Sequence, residues 1–379
     1  MKIIGIVCEY NPFHLGHQKQ INWIRQQFRE ECAIVCLMSG NFVQRGHPAI
    51  FDKALRAKAA VDSGADLVLE LPTTYSLRSA EGFAAGGVEI LGKFCDFLCF
   101  GSETGDASTL METAQALLSP EFTPLLRTQL DKGLSFPAAR HAALEEMGVD
   151  ASLLTSPNDI LAVEYCKAIL SQGSAMQPLP LRREGSYHDD TPDTENPSAT
   201  ALRALILENK PWDAYVPGSA LLEGPVHTLE AGERAILARL RTMSDEEFEA
   251  LPYGSEGLWR KLMHAVRSCG TLEDILSATK SKRYTRTRLD RMVMCAHLGI
   301  SQKTLEETAP WVRVLGFGNR GISVLKAARE TGCFPHTGER MEGAYQQQEA
   351  MWDDLYGLFR ADAPGSAGQT SSRRVYIRK

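Results

Sequence analysis

Four features are missing from this chain, and each absence narrows what it can be. No apolar run approaches the roughly 20 residues that a membrane-crossing helix needs. The N-terminus has no charged, apolar and small-residue succession of a secretory signal, so a cytoplasmic protein with no membrane partner is expected. Positive charge is not in excess: 41 Lys and Arg stand against 47 Asp and Glu, a net charge of −6 at pH 7. That balance argues against a uniformly basic nucleic-acid-binding surface and leaves room for a local basic patch. No dense metal motif is present either. The close cysteine pairs, Cys32/Cys36 and Cys95/Cys99, have C-x3-C spacing. Cys36, Cys95 and Cys99 sit in or beside apolar strand-like runs, where free thiols are buried. No carboxylate cluster marks a dedicated metal site.

The 379 residues are too many for one ordinary domain and suggest two. In the first half, apolar strand-like runs at residues 3–8, 33–38, 65–71 and 94–100 alternate with helical patterns. Strands that are apolar almost throughout, in β-α-β-α order, predict a parallel sheet covered on both faces, an α/β Rossmann-like fold. Four polar or glycine turns, at residues 9–17, 39–46, 72–75 and 101–104, then converge on one sheet edge.

The first of these turns carries His14-Leu15-Gly16-His17 directly after the first strand. Helical periodicity from Gln18 through Ile21, Ile24, Arg25 and Phe28 puts Gly16 and His17 near a helix N-terminus. Free backbone N–H groups and the macrodipole attract anions there. Pro12 and Gly16 punctuate the turn, and the glycine lets a phosphate approach the backbone. His14 and His17 can donate to oxygens that gain charge in phosphoryl or nucleotidyl transfer, and neither need be a nucleophile. Two histidines three apart can also simply cap the helix. The position after the first strand favours the phosphate site, because open parallel sheets bind ligands at the carboxyl ends of their strands.

Three later segments can complete such a site. Residues 156–159 (SPND) precede an apolar helical run and can cap it with the Asn158 amide or the Asp159 carboxylate facing the pocket. Residues 178–181 (PLPL) form an extended run that delivers Arg182 and Arg183 to the same edge, suited to triphosphate oxygens. Residues 196–203 (NPSATALR) start a helix with Ser198 as N-cap and Arg203 about a turn and a half on. Each alone also reads as ordinary capping or surface charge.

From Trp212 onward, helical patterns recur at residues 230–241, 258–267 and after Thr271, with a capping box at Ser244 and Glu247. The expected division is a nucleotide-binding domain over 1–205, a mostly helical domain over 206–360, and a flexible linker with a basic tail over 361–379. Lys280, Lys282, Arg283, Arg286, Arg288 and Arg291 are opposed locally by Asp290 alone. This densest basic cluster is either a solvated helix or an RNA-phosphate contact.

The HxGH turn together with Ser198-x-Thr200-x-x-Arg203 resembles the HxGH nucleotidyltransferase superfamily, whose second signature is ISSTxxR. Pro197 stands where that signature has Ile, and Ala199 where it has its second Ser. Residues 5–17 (GIVCEYNPFHLGH), 38–46 (MSGNFVQRG), 65–72 (ADLVLELP) and 282–288 (KRYTRTR) resemble the bacterial tRNA(Met) cytidine acetate ligase family over nearly the full length. The resemblance implies two steps. Acetate attacks the α-phosphate of ATP to give acetyl-adenylate and pyrophosphate; the acetyl group then passes to N4 of the wobble cytidine in elongator tRNA(Met). It also implies that ATP contacts Val7, Cys8, Glu9, Tyr10, Asn11, Pro12, Phe13, His14, Leu15, Gly16, His17, Gln18, Lys19 and Gln20, together with Gly101, Asn158, Arg182 and Arg183. His14 and His17 would be catalytic, acting on the α-phosphate and leaving group, with Thr200 and Arg203 assisting. Mg2+ is expected with ATP, and tRNA phosphates at the basic cluster.

Two other functions fit parts of the pattern. One is adenylyl transfer to a small phosphorylated metabolite, which has no need of the helical half and its basic cluster. The other is a non-catalytic nucleotide- and RNA-binding regulator, against which the intact His14, Gly16 and His17 weigh.

Overall fold

The apolar runs of the first half become the central strands of one sheet. A computed structural model describes residues 1–29, 31–183, 197–220, 222–281, 284–332, 335–336, 343–368 and 374–378. Its strands are β1 (Lys2–Cys8), β2 (Cys32–Ser39), the short pair β3 (Phe42–Val43) and β4 (His47–Pro48), β5 (Leu67–Leu71), β6 (Phe97–Ser102), β7 (Gln177–Arg182), β8 (Val312–Phe317), β9 (Pro335–His336) and β10 (Tyr376–Ile377). The main sheet has the order β10-β8-β5-β2-β1-β6-β7, with β9 beside β8, while β3 and β4 pair separately.

β2 and β5 are buried at every residue, as expected of strands covered on both faces. One layer packs Val35, Leu69, Val88, Leu98 and Tyr165, and the opposite layer packs Ile4, Ile24, Ile34 and Val61. Burial of each such side chain contributes about 1.5–3 kcal/mol. From β1 the chain winds to β2 and β5 on one side and to β6 and β7 on the other, all parallel. The strand order therefore reverses between β1 and β6, and a crevice opens at their carboxyl ends.

The helical segments Leu229–Thr242, Asp245–Glu249, Leu258–Ser268 and Leu272–Thr279 form where the periodicity and the capping box predict helices, and Arg286–Leu298 and Gln302–Glu306 follow them. They bury a core of their own around Ile236, Leu262, Leu276 and Met292, which also takes in Phe42 and Leu77 from the first half. After Glu306 the chain returns to the sheet, within the stretch expected to be mostly helical. β8 adds antiparallel to β5, and β10 adds parallel to β8.

The tail also differs from a solvated basic end. Tyr376 donates its hydroxyl proton to Asp62 Oδ1 at 2.6 Å, and Arg378 NH1 donates to the carbonyls of Val61 and Asp62 at 3.1 and 3.2 Å. Those carbonyls end the helix Lys53–Asp62, where the macrodipole favours a cation. Residues 369–373 and 379 lie outside the described residues.

An ionic cluster joins the returning chain to the first half. Lys53 Nζ lies 2.6 Å from Glu70 Oε1 and 2.7 Å from Asp353 Oδ2, and Arg313 Nε lies 3.3 Å from Glu70 Oε2. Glu349 accepts from the Thr73 amide and hydroxyl at 3.0 and 2.7 Å. Burial, with Glu70 nearby, pushes the Glu349 carboxyl up to about 7.

Candidate active site

The HxGH turn is built by its own histidines. His14 is the N-cap of the helix Leu15–Gln27; its Nδ1 accepts from the Gly16 amide at 3.1 Å, while His17 Nδ1 accepts from the His14 amide at 3.2 Å. Two of the backbone N–H groups offered by the sequence are taken up by the imidazoles. With both Nδ1 atoms accepting, the neutral rings carry their protons on Nε2, so Nε2–H donors replace those amides. The rings stack with centroids 3.7 Å apart. A Cβ on residue 16 would lie 2.9 Å from His14 Cε1, so glycine is what lets the His14 ring fold back over its helix.

Charge state follows from the surroundings. Burial lowers the His14 imidazole to about 3, helped by the guanidinium charges of Arg183 and Arg203. Burial likewise lowers His17, followed by the effects of His14 and Arg183. Both rings are therefore neutral donors, poor as acids or bases and suited to oxygens that accumulate negative charge.

Arginines flank the pair. Arg203 NH1 donates to the Asn11 carbonyl at 2.8 Å and NH2 to Thr200 Oγ1 at 3.0 Å. Ser198 caps the helix Ala199–Leu207 by accepting from the Ala201 amide, so the altered signature still brings Arg203 to the first turn. On the other side, Arg183 NH1 donates to Asn158 Oδ1 at 3.3 Å, and Asn158 Nδ2 donates to Glu103 Oε1 at 2.7 Å.

The capping expected of residues 156–159 is realised differently. Ser156 makes no side-chain cap bond, and Glu103 Oε2 accepts from the Asp159 amide at 2.8 Å, supplying the anion that a helix N-terminus favours. Asp159 turns inward and accepts from the hydroxyls of Ser102 and Thr104.

These elements enclose a cleft of about 850 Å3, lined by Val7, Cys8, Glu9, Tyr10, Asn11, His14, His17, Gln20, Gly101, Asn158, Arg183, Thr200 and Arg203 among the expected residues. Seven others stand off its wall. Pro12 and Phe13 are buried behind the turn. Leu15 and Gly16 belong to the helix start, Gln18 donates to the Ser63 carbonyl at 2.9 Å, and Lys19 is exposed. Arg182 lies one residue out of phase with Arg183, its side chain alongside Gly105.

Other wall residues carried no assigned role in the sequence: Gln44, Arg45 and His47 from the β3–β4 hairpin, Glu103, Tyr165, and Thr228 at the start of the helical half. The hairpin lies inside the quoted MSGNFVQRG segment, which was the available signal. Tyr165 stacks on Phe100, and its buried hydroxyl has no hydrogen-bond partner among the described residues. Arg56, fully buried, donates to the carbonyls of Glu9 (2.5 Å), Ser39 (3.1 Å) and Phe51 (2.9 Å), tying the ends of β1 and β2 together. An arginine inside a helical pattern gives no sign of this. Among the described residues, no group of three or more His, Cys, Asp or Glu side chains is arranged to hold a metal ion.

The basic cluster of the second half is largely engaged in its own fold. Arg286 pairs with Glu273 at 2.7 Å and with Asp290 at 2.9 Å. Arg288 donates to the Tyr253 carbonyl at 2.8 Å and to Ser255 Oγ at 2.9 Å. Arg291 is buried over the Tyr253 ring. Lys280 is exposed, and Lys282 and Arg283 lie outside the described residues.

A family described as HIGH Nucleotidyl Transferase matches residues 1–361. The tRNA(Met) cytidine acetate ligase of Acetivibrio thermocellus is 34% identical over 364 residues, covering 88% of this chain and 87% of that one. The enzyme of the same name from Syntrophomonas wolfei is 37% identical, covering 86% and 84%. The chain belongs to the tRNA(Met) cytidine acetate ligase family. The α/β nucleotidyltransferase fold of this ligase family is matched by the crystal structure of apo TmcAL from Thermotoga maritima, with TM-score 0.89 and 28% identity over 100% of this chain and 99% of that chain. TmcAL bound with alpha-thio ATP matches with TM-score 0.88 and 28% identity over 100% of both chains. No helix among the described residues is long and apolar enough to cross a membrane.

Proposed function

We propose that the protein is an ATP-dependent acetate ligase that acetylates N4 of the wobble cytidine of elongator tRNA(Met). The observation that carries this is the self-capped HxGH turn, which holds two neutral Nε2–H donors beside Arg183 and Arg203 at the strand-order switch. Activation of acetate needs what that arrangement offers. An acetate oxygen attacks the α-phosphorus of ATP, pyrophosphate leaves, and the extra negative charge falls on oxygens within reach of His and Arg donors. No enzyme nucleophile is required. ATP binding in this cleft is supported by the alpha-thio ATP complex of the Thermotoga maritima relative. Mg2+ would arrive with the ATP phosphates, because the cleft wall is rich in N–H donors, which bind anions. His14 and His17 act at the α-phosphate. The wall residues from Val7 to Gln20, with Gly101, Asn158 and Arg183, hold the nucleotide, and Thr200 with Arg203 supports the turn. Residues 206–360 carry the tRNA contacts, and the protein works in the cytoplasm, where charged and uncharged tRNA are found.

Incubation with Mg2+, ATP and acetate, with and without elongator tRNA(Met), tests this reading. AMP release coupled to N4-acetylcytidine in the tRNA is expected. Turnover only with a phosphorylated metabolite, or none with any acceptor, would sink it.

A further inference from the structure

The second step needs a group that the nucleotide end of the cleft does not supply. The exocyclic amine of cytosine is a weak nucleophile, its lone pair drawn into the ring, and it must lose a proton as it is acylated. His14 and His17 both have Nδ1 committed to the helix cap. A base has to come from elsewhere on the cleft wall.

Another part of the cleft wall comes from the β3–β4 hairpin and the start of the helix Leu229–Thr242. His47 stands there, in β4. Its side chain is 43% exposed, while Nε2 is buried and faces Asp290 Oδ2 at 3.6 Å. Nδ1 is the ring nitrogen not engaged with Asp290. Asp290 is buried at 6% exposure and also accepts from Arg286 Nε at 2.9 Å. The pairing depends on close approach: Gly46 has φ +81°, and a Cβ there would lie 2.4 Å from the Arg291 amide nitrogen. Glycine thus seats the hairpin directly on the helix Arg286–Leu298. Asp290 faces His47, Arg286 holds Asp290 from behind, Arg291 follows on the same helix and Arg45 precedes His47 in the hairpin.

Resting on the acetate-ligase reading above, we propose that His47 is the general base of the acetyl-transfer step and that Asp290 is its positioning residue. N4 attacks the carbonyl carbon of acetyl-adenylate and the C–N bond forms. The bond from that carbon to the phosphate oxygen breaks, its electron pair leaving on AMP, and the N4 proton passes to His47 Nδ1. The Asp290 carboxylate stabilises the imidazolium so formed and fixes the ring, as a carboxylate behind a catalytic histidine does. The same contact links the helical half to the chemistry, because Asp290 belongs to that half.

The test separates the two steps in the full-length protein. Acetyl-adenylate formation is followed without tRNA; transfer is followed in a single turnover after elongator tRNA(Met) is added to preformed acetyl-adenylate. For His47→Gln, transfer is expected to fall about 100-fold or more relative to adenylation, the usual scale of general-base catalysis, and its pH–rate profile to lose the rising limb. Asp290→Asn is expected to slow transfer less than His47→Gln does, to leave adenylation at the wild-type rate and to retain that limb, because the base is still present but no longer held in place. Thermal melting of both variants reports folding. If His47→Gln transfers acetyl at the wild-type ratio, or keeps the wild-type limb, the proposal is overturned while the ligase reading stands. If wild-type protein forms no acetylated tRNA, the ligase reading itself fails.

Discussion

Arg183 and Arg203, from the sheet half, line the cleft beside His14, whereas Arg286, Arg288 and Arg291, from the helical half, are turned back onto their own carbonyls, carboxylates and rings. The sheet half is the place where a motif fixes a backbone turn, and its charged groups end where the turn directs them. In the helical half there is only a count of like charges, and packing decides what each one meets. Charge density in sequence therefore says little about charge free at the surface.

The largest expected effect sharpens the contrast by testing an exception to it. Lys53 belongs to the sheet half but is buried between Glu70 and Asp353. Lys53→Met leaves Glu70 and Asp353 with only the more distant Arg313 as counter-charge and is expected to cost about 3–5 kcal/mol of stability, measured by denaturant unfolding. No loss would mean that the ionic joint does not hold the C-terminal helix. Next comes His17→Ala, which removes one Nε2–H donor and half of the cap; acetyl-adenylate formation is expected to fall about 10²–10³-fold. An undiminished rate in that variant would move the chemistry away from the HxGH turn.

Arg203→Ala is expected to raise KM for ATP about tenfold, the scale of a lost charged hydrogen bond. Binding of ATP at wild-type strength would return Arg203 to an ordinary surface role. Glu349 gives a pH effect. Its folded carboxyl is raised to about 7 from the ordinary 4.5, so the folded state holds a proton that the unfolded state releases. Stability is then greatest below about pH 4.5 with respect to this group and declines as pH rises toward 7. Glu349→Gln should flatten that decline in thermal melts across the window; an unchanged slope would assign it to another group. The smallest effect is expected on the salt slope of tRNA binding in Arg286→Ala, unchanged because the guanidinium is already held by Glu273 and the buried Asp290. A shallower slope would show that Arg286 meets RNA phosphate after all.

Much of the sheet was legible because β1, β2, β5 and β6 are covered on both faces and so read as unbroken apolar runs. β8 was not. Its pairing with β5 crosses more than two hundred residues of chain, and nothing local in residues 312–317 distinguishes a strand returning to a distant sheet from a buried stretch of the helical half. The pairing of the tail was not legible for the same reason, since β10 depends on the edge that β8 leaves open. At the site, the HxGH turn was legible because its geometry is local, and the capping observed through Nδ1 is compatible with the donor role proposed for Nε2. The place of His47 was hidden. It depends on Gly46 lying against the backbone of Arg291, a contact between the two halves that no local pattern encodes.

The most direct test of the central claim is acetate-dependent exchange of labelled pyrophosphate into ATP, without tRNA, in wild-type protein and in His17→Ala. Exchange in wild type is predicted, flat between about pH 5 and 8, where an unperturbed histidine titrates, and collapsing in the variant. Absence of exchange in wild type, or equal exchange in both proteins, would contradict the claim that the HxGH turn activates acetate.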